Sequence, residues 1–136
     1  MSHKRLVELP PYSACFVCGG GGLKLNFKGS DGYAEAEFLT PSGFGGYHGF
    51  LHGGMTATLL DEVMVKAIST RGEEVVTARL AIRYRLSIKN GERLKLKGEV
   101  VDRRGKLFLA RGEVIVEGRG IVAQAEGKYI SIKRRK

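Results

Sequence analysis

The chain is poor in cysteine, with two among 136 residues, and poor in histidine, with three. Two cysteines cannot build a disulfide scaffold. A zinc site on Cys15 and Cys18 would need two further ligands, and only His3, His48 and His52 are on offer. Long apolar runs are missing too. Nothing approaches the roughly 18 residues needed to span a bilayer. Behind Met1-Ser2-His3-Lys4-Arg5 there is no apolar segment of signal-peptide length. No internal repeat or linker divides the chain. These absences predict a single soluble domain over residues 1–136, without a membrane span, a metal or a cofactor, in the cytoplasm. Acids are outnumbered, 14 against 23 Lys and Arg, for a net charge of +9. Part of that excess sits in a basic tail at 133–136. The rest favours solubility, or the phosphates of a polyanionic partner.

What is present is mostly alternation. Residues 1–12 form a polar lead-in, and the arm extends to 22 through Cys15-Phe16-Val17-Cys18 and four glycines. Those cysteines read as small buried thiols before a turn. Leu23 to Phe27 and Tyr33 to Leu39 alternate at period two around Gly29-Ser30-Asp31-Gly32, a predicted hairpin. After Gly72, a strand is expected to carry Ala78, Leu80, Ile82, Tyr84, Leu86 and Ile88 on one face. Arg79, Ala81, Arg83, Arg85 and Ser87 fall on the other. Turns at Asn90-Gly91, Asp102 to Lys106 and Gly118 to Gly120 separate three more strands, read together as a four-stranded meander. Gly98 and Gly112 lie mid-strand on the apolar face, where glycine marks close approach of another element.

One stretch breaks the alternation. Between Gly45 and Lys66 a glycine-rich approach leads to His52-Gly53-Gly54 and then to a helical pattern. Leu60, Val63, Met64, Ala67 and Ile68 recur at helical spacing and form an apolar face. Glu62 and Lys66 mark a wetter one. Asp61 is a misfit, since a short carboxylate competes with helical backbone bonds. Its face is shared with Gly54, Ala57, Thr58 and Val65, mostly small residues that leave room for a ligand or another chain. The helix start offers unpaired N–H groups and a positive dipole end, and glycine there admits a ligand to the backbone. Gly53 and Gly54 are therefore a candidate oxyanion or phosphate site. A solvated acid and a tight turn are the plainer readings of the same residues.

The run from His52 to Glu62 resembles the central-helix motif of hotdog-fold acyl-CoA thioesterases, His-Gly-Gly and then Asp after six intervening residues. The likeness is to the phenylacetate-pathway and thioesterase-superfamily-member branch. It implies an α+β fold, one long helix wrapped by a curved antiparallel sheet of about six strands. It also implies a homo-oligomer, a dimer or a dimer of dimers. The implied activity is hydrolysis of an acyl-CoA to a carboxylic acid and free CoA. Asp61 would act as base or nucleophile, and the Gly53 amide as oxyanion donor. His52 would orient the loop or the thioester. Thr77 aligns with the Ser or Thr that lies near the attacking water in relatives. Gly54, His48, Arg79, Arg83, Arg85, Arg103 and Arg104 are the candidate substrate contacts. The sequence departs from the pattern at Gly46, where many relatives carry Asn or Gln, and His48 is the nearest side chain for that duty. The alternatives are a non-catalytic module binding acyl-CoA or nucleic acid, and a hotdog hydratase or dehydratase. The nucleic-acid reading is weakened because no aromatic residue shares the arginine-rich face.

Overall fold

A computed structural model describes residues 5–10, 25–40 and 50–132. Cys15, Cys18, Gly46, His48 and the tail 133–136 lie outside the described residues. The elements in order are β1 (Val7–Glu8), β2 (Lys28–Ser30), β3 (Tyr33–Leu39), α1 (Gly53–Ser69), β4 (Val75–Tyr84), β5 (Arg93–Arg104), β6 (Leu107–Val116) and β7 (Gly120–Ser131). All seven strands form one antiparallel sheet in the order β1-β2-β3-β5-β6-β7-β4. The helix lies on one face of it, which is the expected α+β arrangement.

Close contact holds the two layers together. Leu60, Val63, Met64, Ala67 and Ile68 are completely buried, as their spacing predicts. They meet alternate residues of the sheet: Leu94 and Leu96 from β5, Phe108 and Val114 from β6, Tyr129 from β7. Gly98 lets the helix touch the sheet backbone. A Cβ there would stand 2.6 Å from the Val63 carbonyl oxygen. Gly112 does the same for the side chains of Leu60 and Met64, at 3.2 and 3.3 Å.

Several expectations need correction. Of the expected strand 23–27, residues 25–27 are described and are not strand. The strand before the turn is Lys28–Ser30, and the turn is the two-residue pair Asp31-Gly32, both at positive φ. The lead-in is not all arm, because Val7–Glu8 pairs with Lys28 and Gly29 and adds the seventh strand. The meander has three strands, not four. β4 pairs with β7, and the β5 edge it was expected to occupy is taken by β3. Lys66 does not mark a wet face. Its side chain is 4% exposed, with Nζ 3.4 Å from the Pro10 carbonyl, 3.8 Å from Glu62 and over the Phe27 ring. A lysine can be buried when its charge is paired and its methylene stem packs on apolar surface.

The correction that matters most for the site is in β4. Simple alternation places Ala78 and Leu80 on the core side, which would turn Thr77 outward. Instead the register slips between Thr77 and Arg79, leaving Ala78 as an extra, exposed residue. Thr77 pairs with Tyr129 and Leu80 with Gly127, so both face the helix. A bulge adds one residue to a strand and re-aims its neighbours.

Candidate functional site

The helix start is built by His52. Its backbone is extended, with φ −62 and ψ 133, and its Nδ1 accepts the Gly54 N–H at 2.9 Å. Imidazole thus does what a serine or aspartate cap ordinarily does. Because Nδ1 accepts, the proton of the neutral ring sits on Nε2. The His52 carbonyl accepts from Met55 and Thr56, at 3.0 and 3.3 Å. The N–H of that same peptide unit belongs to Gly53, and it has no acceptor among the described residues. Its partner carbonyl is doubly bonded, which polarises the unit and strengthens the free donor. No acidic side chain lies in the first turn to offset the positive helix end. Gly53 is exposed, so the amide is reachable. Gly54 is less available, since its own amide is taken by His52. The neighbouring Gly53 carbonyl accepts the Tyr84 hydroxyl at 2.7 Å, which ties the helix start to the end of β4.

Two turns along α1, Asp61 leaves the helix on the side facing β4 and β7. It is half-buried and its carboxylate is held by two hydroxyls. Thr77 Oγ1 lies 3.0 Å from Oδ1 and 3.2 Å from Oδ2. The Tyr129 hydroxyl donates to Oδ1 at 2.8 Å. Burial pushes the Tyr129 phenol far above its ordinary range, and the facing Asp61 charge pushes it further. It therefore remains a neutral donor. Asp61 is not a free surface acid, and the plainer reading of it is set aside.

The structure brings Asp61 and Thr77 together and places Gly53 and His52 at the helix start. It does not bring the arginines to them. Arg79 and Arg83 point off the outer face of the sheet, with Lys128 and Gln124 as pairing neighbours. Arg85 bonds Gln124 at 3.2 Å. Arg103 stacks 4.7 Å from the Phe108 ring and sits 3.5 Å from Glu73, while Arg104 bonds Asp102 at 3.2 Å. Shallow grooves of about 330 and 610 Å³ run along the outer face past Arg79, Arg83 and Arg111. Asp61, Thr77 and Gly53 line neither. Among the described residues, no group of three or more His, Cys, Asp or Glu side chains is placed to hold a metal ion. No helix among them is long and apolar enough to cross a membrane.

Tyr129 and Tyr84 escaped sequence reasoning. Each reads as one more aromatic residue in an alternating strand. The available signal for Tyr129 is Gly127, two residues earlier on the same face. A Cβ there would fall on the tyrosine ring, 2.7 Å from its hydroxyl.

Comparison with known proteins agrees with this picture. No curated protein sequence matches the chain. Among solved structures, the PaaI protein of the E. coli phenylacetic acid degradation operon matches with a TM-score of 0.76 at 19% identity, over 82% of this chain and 81% of that one. Zebra fish thioesterase superfamily member 2 also gives 0.76, at 23% identity over 86% and 91%. A hypothetical thioesterase protein from Streptococcus pneumoniae TIGR4, solved with coenzyme A, gives 0.74 at 22% over 79% and 86%. These likenesses establish the hotdog fold. The thioesterase superfamily model matches residues 48–123, more than half of the sequence and inclusive of His52, Gly53, Asp61 and Thr77, so the chain belongs to the thioesterase superfamily.

Proposed function

We propose that the protein hydrolyses an acyl-CoA thioester, with Asp61 as base or nucleophile and the Gly53 amide as oxyanion donor. The observation that carries this reading is the Asp61 carboxylate, half-buried in a helix and aimed by Thr77. Such a carboxylate is poised to act on a water or on a carbonyl. Acting as base, it takes a proton from water as the water oxygen bonds to the thioester carbon. The carbonyl oxygen becomes an oxyanion at the Gly53 N–H. Its collapse breaks the C–S bond and expels the thiolate, which recovers the proton as free CoA. Acting as nucleophile, Asp61 forms a mixed anhydride while the thiolate leaves, and water then cleaves the anhydride. After a single turnover in ¹⁸O-water, label in Asp61 marks the anhydride route, through attack of water on the Asp61 carbonyl of the anhydride; the base route puts none there.

Eight residues separate Gly53 from Asp61, a span of about 12 Å along the helix. A carbonyl bound at one and attacked at the other needs both within about 3 Å. The two groups serving one substrate therefore come from different copies of the chain. β4 supports that assembly, because its outer edge pairs with no strand among the described residues. Val76, Tyr84 and Leu86, in and just after it, are about half exposed. We read the protein as one cytoplasmic hotdog domain per subunit, working as a dimer or a dimer of dimers. The Streptococcus pneumoniae protein, solved with coenzyme A, has also been solved with an aspartate and with a threonine replaced by alanine, sixteen positions apart. Asp61 and Thr77 have the same spacing. Arg79 and Arg83, which have no partner among the described residues, are the arginines we assign to CoA phosphates, reached from a neighbouring subunit.

The test is a panel of short, long and aryl acyl-CoAs, followed by thiol release, with enoyl-CoAs followed by hydration. Release of CoA from at least one class is the expected result. Hydration of enoyl-CoA, or binding without turnover, would replace this reading with a hydratase or a binding module.

A further inference from the structure

The Tyr129 side chain is fully buried, yet its hydroxyl ends on Asp61 Oδ1 at 2.8 Å. It reaches there from β7, while Thr77 reaches the same carboxylate from β4, and the two residues are direct cross-strand partners. The two carboxylate oxygens are not equivalent. Oδ1 meets both hydroxyls, at 2.8 and 3.0 Å, whereas Oδ2 meets only Thr77, at 3.2 Å. Thr77 has a single proton and can serve one oxygen at a time. Left with Thr77 alone, the carboxylate could swing about its Cβ–Cγ bond, a soft torsion. Tyr129 removes that freedom from the core side. Its own ring is fixed, because it lies over Gly127, where any side chain would overlap it.

We propose that Tyr129 is a positioning residue for Asp61, seated by the missing side chain at Gly127, and that it pins Oδ1 so that Oδ2 is the oxygen acting on the substrate. The proposal rests on the thioesterase reading above. The phenol suits the task because it does not ionise in the working range, so it donates at every stage. A tyrosine that merely satisfied a buried polar atom would fill the same space but have no bearing on which oxygen reacts.

The experiment is a cycle of four proteins, wild type, Tyr129→Phe, Asp61→Asn and the double variant, assayed on the best acyl-CoA of the panel alongside thermal melts. Tyr129→Phe is expected to lower kcat by roughly 10- to 100-fold, as a misplaced catalytic group does. KM should stay within about twofold. In the Asp61→Asn background the same change should add nothing, because the group it positions is gone. Gly127→Ala displaces the ring without altering the tyrosine and should give the same kcat loss, which keeps the test open if Tyr129→Phe folds poorly. Wild-type kcat in folded Tyr129→Phe, or an equal further loss in the Asp61→Asn background, overturns the proposal. A wild type that releases no thiol, or an Asp61→Asn variant with full turnover, defeats the functional reading and this inference with it. An inactive Asp61→Asn beside a fully active Tyr129→Phe defeats the inference alone.

Discussion

At the scale of single residues, the site depends on what is left unpaired. The Gly53 N–H has no acceptor among the described residues, because it is the first of the helix and because His52 caps Gly54 instead. Gly53 also lacks a side chain, and its neighbourhood does not require that. A Cβ there would sit 3.7 Å from the Tyr84 hydroxyl, an ordinary contact. Gly53→Ala should therefore fold as well as the parent, or gain up to about 1 kcal/mol from the stiffer unfolded chain. Turnover should fall, because the methyl group crowds the approach to the amide. Thermal melts and acyl-CoA kinetics on the same sample check both halves. Thr77 entered only through the resemblance to the family, while Asp61 and Gly53 were readable as candidates from the motif and its spacing. The buried hydroxyl of Tyr129 was not, because a tyrosine in an alternating strand looks the same whether its tip meets water, backbone or a carboxylate. Only the crossing of helix and sheet decides that.

At the scale of elements, the bulge that takes up Ala78 lets Thr77 and Leu80 share the core face of β4. Downstream of the bulge, Leu80 and Ile82 pack against the core and fix the register of β4. Deleting Ala78 would restore strict alternation. Thr77 would then precede Arg79 directly, stay opposite Tyr129 and still face the helix, because Tyr129 and Lys128 are consecutive on β7. The deletion is therefore expected to keep turnover near that of the parent, whereas Thr77→Val lowers it, with the helix and the rest of the sheet intact in both by circular dichroism. Parity counting could not foresee this. Bulges leave little mark in composition, and Ala78 is apolar like Leu80 and Ile82, whose parity it shares. The helix, by contrast, was legible almost to the residue. Its apolar face repeats over three turns, and Gly98 and Gly112 announced where it would rest. Lys66 was misread because a sequence pattern cannot foresee Phe27 and the Pro10 carbonyl arriving from a distant segment.

At the scale of the molecule, the sheet ends on one side in β4, which carries Thr77 on its core face. Polar contacts tie the loop before β5 to the turn between β6 and β7. Partial burial of Glu92 works against its charge, but the Lys89 amide and the Arg119 guanidinium outweigh it and hold the carboxyl below its usual range. A carboxylate with a lowered folded pKa contributes stability above the ordinary carboxylate range and loses it as pH falls through the folded value. Glu92→Gln should therefore lower the melting temperature at neutral pH, by an amount equivalent to about 1 kcal/mol or less. The gap to the parent should close as the pH is taken below about 4. Melts across that range test it.

The central claim is that the Asp61 carboxylate does the chemistry, and its most direct test is kcat for Asp61→Asn on the best acyl-CoA substrate. Asparagine keeps the shape and removes the charge. The account predicts a loss of about 10²- to 10⁴-fold, the usual share of a general base, with the melting temperature nearly unchanged. Turnover near that of the parent in a folded Asp61→Asn protein would contradict it.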